Sequence, residues 1–97
     1  MEDTIQLGGN IELNGVSNLN GGEIVILKKM VGSYTKKISE AKENFEKLSI
    51  NFDKDDSKYK IKCQISINGK NYIAEAKNSN LFFTINEVFT QIDKEII

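Results

Sequence analysis

Ile5, Leu7, Gly9, Ile11 and Leu13 fall on one side of an extended segment over residues 5–13, with polar residues on the other. That alternation predicts a strand with one face buried. The period then changes. After a Gly/Asn-rich stretch from Asn14 to Gly22, which reads as loop, Ile24, Leu27, Val31, Tyr34, Ile38 and Ala41 recur at steps of three and four. They draw one apolar stripe along a helix of about 20 residues. Asn20 stands three residues before Glu23, a capping box with Asn in place of Ser or Thr. Gly32 lies inside this helix, where glycine costs about 1 kcal/mol relative to alanine.

The alternation returns with Leu48, Ile50 and Phe52 on one face and Ser49, Asn51 and Asp53 on the other. Asp53 to Ser57 reads as a polar turn. Tyr59, Ile61, Cys63, Ile65 and Ile67 then alternate with Lys58, Lys60, Lys62, Gln64 and Ser66, up to Asn68-Gly69. Both turn residues accept the positive φ of a type I′ turn, so this is a hairpin. A two-residue turn sets Ile65 opposite Tyr72, Cys63 opposite Ala74 and Ile61 opposite Ala76, all apolar on one face. A second helix, capped by Asn78 or Ser79, follows with Leu81, Phe82, Ile85, Val88, Phe89, Ile92 and Ile96 as its stripe.

The order β-α-β-β-β-α predicts one α+β domain over residues 1–97. It is a two-layer sandwich with a four-stranded mixed sheet. The first strand reaches the second through a helical crossover and lies parallel to it, the crossover right-handed. Both helices cover one sheet face and leave the other to water.

Composition narrows the chemistry. The 97 residues are 39% hydrophobic and 28% charged, in the range of a soluble globular domain. Thirteen bases against fourteen acids give a net charge of -1, so any hold on nucleic acid depends on where the lysines stand. The acidic start (Glu2, Asp3) has no apolar run of signal-peptide form, and no run is long enough to span a membrane. One cysteine forms no internal disulfide and suits a reducing, cytoplasmic setting. Histidine, the commonest general base and metal ligand, is missing. Cys63 alternates with isoleucines, as a small core residue does. Gly21-Gly22 opens a helix but is followed by Glu23, which repels anions. These features predict no enzyme, no metal, no cofactor and no small-molecule substrate.

What remains is surface. At 100° per residue, Lys29 and Lys36 fall near the centre of the first helix's outer face, with Lys28 and Lys37 on its flanks and small Gly32 and Ser33 between them. Lys29 and Lys36 are about 10 Å apart along the axis. That spacing suits two phosphates of an RNA strand, and it equally suits an ordinary solvated face. Glu40 and Glu43 dilute the patch at its C-terminal end. On the open sheet face Glu75 is opposite Lys62, which neutralises it, while Lys60 faces Lys77. Like charges opposed are mildly destabilising. The pair therefore points to an anionic partner, or else its side chains splay into water. Phe83 points away from its helix's stripe, placed either to stack on a base or dock a protein, or to fold over a neighbouring loop.

The chain resembles the short hibernation-promoting factors, or ribosome-associated inhibitors, whose layout is related to double-stranded-RNA-binding domains. The resemblance is carried by YKIKCQISINGKNYIAEAKNSNLFFTINEVFTQIDKEI (59–96), with its alternating strand, Asn-Gly hairpin, small-residue strand and apolar helix positions, and by VGSYTKKISEAKENFEKLSI (31–50). It implies a stress-response factor that binds small-subunit rRNA in the decoding and tRNA channel, inhibits translation and preserves idle ribosomes. It assigns rRNA contact to Lys37, and by extension to Lys28, Lys29, Lys36 and Lys94. The chain departs from the family in Gln91, where lysine is common, in Glu95 beside Lys94, and in ending at Ile97 without a basic tail. Two other readings stay open: a general structured-RNA binder, and a protein-interaction module using the open sheet face and Phe83. A homodimer through a sheet edge also stays open.

Overall fold

The first alternating run bends back on itself. In the computed structural model, which describes residues 3–96, it forms a hairpin of β1 (Thr4–Leu7) and β2 (Ile11–Asn14). Ile5 lies opposite Leu13 and Leu7 opposite Ile11. Gly8 turns the chain at φ +70°, a conformation glycine adopts without steric cost. The three-residue turn keeps the odd-numbered residues of both arms on one face, so hairpin and straight strand share the same polarity pattern. The sheet therefore has five strands where four were expected. Glu2 and Ile97 lie outside the described residues.

The strand order is β1-β2-β3-β4-β5, completed by β3 (Phe45–Asp55), β4 (Lys58–Ile67) and β5 (Lys70–Asn78). Only β2 and β3 are parallel among these pairs; Leu13 sits beside Ile50, and α1 (Gly21–Ala41) makes the crossover between the two strands. The β4–β5 register is the one expected, with Ile65 opposite Tyr72, Cys63 opposite Ala74 and Ile61 opposite Ala76. Asn68 and Gly69 both take positive φ at its turn. The turn between β3 and β4 is tighter than expected. β3 continues to Asp55, and Asp56, at φ +56°, turns the chain with Ser57.

Between β2 and α1 the Gly/Asn-rich segment is anchored. Gly15 sits at φ +80° with its α-carbon against β3, and a β-carbon there would lie 2.0 Å from the Phe52 carbonyl oxygen. Only glycine fits. A 3₁₀ turn (Val16–Asn18) follows, and Val16 and Leu19 enter the core. The Asp3 carboxylate accepts hydrogen bonds from the Ser17 N–H and hydroxyl, and these hold it below the usual carboxylate range.

The capping box on α1 is complete: Asn20 Oδ1 accepts from the Glu23 N–H (2.8 Å), and Glu23 Oε1 accepts from the Asn20 N–H (2.9 Å). The cap of α2 (Leu81–Ile96) is Asn80, not Asn78 or Ser79. Asn80 Oδ1 accepts from the Phe83 N–H, and Asn78 instead accepts from the Asn80 N–H. Ala41, counted in the first stripe, is exposed at the end of α1.

Leu27, Val31 and Ile38 of α1 and Ile85, Val88 and Ile92 of α2 meet Leu48, Ile50, Ile61, Cys63 and Ile65 from the sheet in one core. Truncating Leu27 or Ile50, both fully buried, to alanine costs about 2–5 kcal/mol. Burial pushes the Cys63 thiol up to about 12, so it stays protonated at neutral pH and behaves as packing. The helices are joined by Tyr34, whose ring stacks on Phe89 at 4.0 Å and whose hydroxyl donates to Asp93 Oδ1 at 2.8 Å.

Candidate nucleic-acid interface

Because Leu27, Val31, Tyr34 and Ile38 are buried, the opposite side of α1 must face water. Lys28, Lys29, Lys36 and Lys37 are all exposed there. Among the described residues, no carboxylate pairs with Lys28, Lys29 or Lys36. Glu40 stands one turn beyond Lys36 and still makes no ion pair with it. With lysine on the N-terminal side, that order is the weaker orientation of such a pair on a helix.

Lys36 borders a depression on the flank of α1 beside Gly32, and Lys29 stands one turn before that glycine. Nothing lies within 4 Å of where a Gly32 β-carbon would be. Packing therefore gives no reason for glycine at this position. Beside it, Gly32, Lys36, Thr35 and Ser39 of α1 form an open groove of about 260 Å³ with Asn10 and Ile11 of the β1–β2 hairpin and Phe45. Thr35 keeps its hydroxyl inward, donating to the Val31 and Gly32 carbonyls. The β1–β2 hairpin turn, where the sequence predicts straight strand, walls this groove.

Lys37 is placed differently from its neighbours. Its amine donates to Asp93 Oδ2 at 3.4 Å, across the gap to α2. Lys37 is 66% exposed, so an incoming phosphate can compete for it in a way it could not for a buried pair. Lys94 is exposed near the end of α2 and has no carboxylate partner among the described residues.

The second candidate patch does not survive in its expected form. Lys60 does lie opposite Lys77 in the register. Yet Lys60 reaches diagonally to Glu75 at 3.4 Å, and Lys77 reaches Asp55 at 3.0 Å. Glu75 thus serves Lys60 rather than Lys62, and the opposed amines each have a carboxylate of their own. Hydrogen bonding from Lys77, reinforced by its charge, holds Asp55 below the usual carboxylate range. The strand extension to Asp55 supplies this partner, which a turn beginning at Asp53 did not foresee.

Phe83 is 56% exposed, and Ile26 on α1 is 47% exposed. Ile26 went unnoticed because it lies off the buried stripe, one residue before Leu27.

Among the described residues there is no cluster of three or more His, Cys, Asp or Glu, and no helix is long and apolar enough to cross a membrane. No family model and no curated protein matches the chain. Among solved structures, the fold is similar to that of a ribosomal subunit interface protein from Coxiella burnetii, with a TM-score of 0.50 and 16% identity. The match covers 69% of this chain and 82% of that one. At that identity the likeness is one of fold, and at the level of fold it meets the resemblance to the hibernation-promoting factors drawn from residues 31–50 and 59–96.

Proposed function

We propose that this protein is a non-catalytic ribosome-binding factor. It occupies the decoding region of the small subunit, holds rRNA backbone with the lysines of α1, and silences translation while preserving idle ribosomes. The mechanism is steric: a compact domain, fixed by amine–phosphate contacts, fills space that tRNA and mRNA need. Such a factor works in the cytoplasm, needs no cofactor, and acts one per ribosome.

The reading rests most on one observation. Lys29 and Lys36 pair with no carboxylate among the described residues, on either side of a glycine that no packing requires. A backbone notch between two amines lets a phosphodiester strand approach closely, and phosphate contacts of this kind give affinity without sequence selectivity. The fold shared with a ribosomal subunit interface protein supports the same partner.

Sedimentation with purified ribosomes tests this. The protein should travel with the small subunit at low salt and leave it steeply as salt rises. A Lys29/Lys36/Lys37 triple alanine variant should remain in the supernatant. Co-sedimentation of that variant at wild-type levels, or absence of the wild type from the small-subunit fraction, ends the proposal. Equally tight binding to free duplex RNA would make it a general structured-RNA binder instead.

A further inference from the structure

The gap between the two helices is separate from the Gly32 notch, on the opposite flank of α1. Tyr34 stacks on Phe89 and Lys37 meets Asp93, so α1 and α2 run in the same direction with a groove of about 370 Å³ between them. Met30, Ser33 and Lys37 line it from α1, and Asn86, Thr90 and Asp93 from α2, over a floor that includes Phe89. Beyond its lining, one turn toward the helix N-termini, stand Ile26 and Phe83, two of the four exposed large apolar side chains among the described residues. Phe83 lies seven residues before Thr90, two turns along the same side of α2.

The groove's chemistry is mixed. Thr90 spends its hydroxyl proton on the Asn86 carbonyl. Among the described residues, the Asn86 carboxamide and the Ser33 hydroxyl make no hydrogen bond, so donors and acceptors face the gap uncommitted. At the other end Lys37 shares its amine with Asp93, and Lys94, one residue farther along α2 and outside the lining, adds an exposed cation that has no carboxylate partner among the described residues. An aromatic face, a free amide and amines beyond it are the parts that hold a single nucleotide. The ring stacks on the base, the amide meets the base's polar edge, and the amines meet the phosphates. A protein partner of ordinary apolar chemistry has no use for the amine end, and a duplex has no base to offer the ring.

We infer that the groove between α1 and α2 receives an unpaired RNA base, stacked on Phe83 and read at its edge by Asn86. This deepens the RNA-binding reading and rests on it: the α1 notch holds backbone, and the interhelical groove selects RNA with a splayed-out nucleotide over an unbroken duplex.

The test uses the whole chain and two probes, a hairpin RNA with one bulged purine and the same hairpin fully paired, each titrated at low and moderate salt. Wild type binds the bulged probe about tenfold more tightly, the scale of one lost stack. Phe83→Leu, at a site more than half exposed and so compatible with folding, erases that preference and keeps the salt dependence. Asn86→Ala erases part of it. Lys29/Lys36 double alanine weakens both probes alike and keeps the preference. Equal binding of the two probes by wild type overturns the inference, as does a preference that survives Phe83→Leu. So does self-association of the wild type that Phe83→Leu abolishes, which makes the ring a protein contact. Failure of wild type to bind either probe or ribosomes sinks the RNA reading itself, and that result is distinct from the others.

Discussion

Two faces of this molecule carry lysines, and the fold neutralises more of them on one than on the other. On the open sheet face, Lys60 and Lys77 each lie within 3.4 Å of a carboxylate, Lys60 of its diagonal neighbour Glu75 and Lys77 of Asp55, which reaches across from β3, while Lys62 makes no ion pair among the described residues. On α1, Lys28, Lys29 and Lys36 have no such partner among the described residues. The cause is geometric. A sheet sets side chains of neighbouring strands on one face, directly opposed, diagonal or one strand farther, so acids come within reach of bases distant in sequence. An outward helix face has neighbours only three and four residues away on the same element. For Lys36 the one acid at that spacing, Glu40, is in the unfavourable order. Counting lysines finds both faces; only the positions of the acids separate a surface that is neutralised from one that is available.

The comparison breaks most sharply under charge reversal. Lys29→Glu with Lys36→Glu should lower ribosome affinity at low salt about a hundredfold and flatten the salt dependence by roughly one unit of log–log slope per lost phosphate contact. Lys60→Glu with Lys77→Glu should leave ribosome affinity within about twofold, because those amines are already engaged. Filter binding or sedimentation across a salt series reads both. Parallel losses on the two faces would show that overall charge, and not the helix face, governs the association.

A smaller effect isolates the notch from the amines. Gly32→Ala meets nothing within 4 Å and should raise thermal stability by about 1 kcal/mol through helix propensity alone. If an RNA strand lies against Gly32, the same methyl group should weaken ribosome binding several-fold. Opposite signs for stability and binding in one variant point to a surface kept bare for contact. The result to watch against this is a more stable protein that binds unchanged.

How much of this was legible beforehand differs between the two helices and the edges of the sheet. The α1 stripe as far as Ile38, the capping box at Asn20 and the β4–β5 register follow from residues near each other in sequence, and each stands as read. The five-strand count did not, because a three-residue turn preserves parity. Ile5, Leu7, Ile11 and Leu13 share a face whether or not the chain reverses at Gly8-Gly9-Asn10, and only the adjacent glycines signalled the break. The lysines of α1 were legible for the same local reason. The neutralisation of Lys77 was not, since it depends on how far β3 runs. Lys37 shows the remaining gap: its tie to Asp93 crosses 56 positions and is made only when the helices pack.

The smallest expected effect is the pH dependence of the sheet-face pairs, in which Lys29 has no share. Lys77 holds Asp55 below its ordinary value of 3.8, chiefly by hydrogen bonding and then by charge. A carboxyl whose folded value is depressed contributes stability that is fully present above its unfolded value and fades as pH falls through the folded one. Glu12, held down by Asn14 and Lys47, adds in the same direction. The stability lost in Lys77→Ala should therefore be constant above about pH 5 and shrink toward zero as acid protonates Asp55 in both proteins. Carboxyl resonances followed by NMR should place the Asp55 transition higher in Lys77→Ala than in wild type. Lys29→Ala removes no carboxylate contact, so whatever small change in stability it brings should be the same on both sides of that window. An acid-dependent Lys29→Ala would mean that Lys29 has a carboxylate partner after all, and the difference between the two faces would be one of degree.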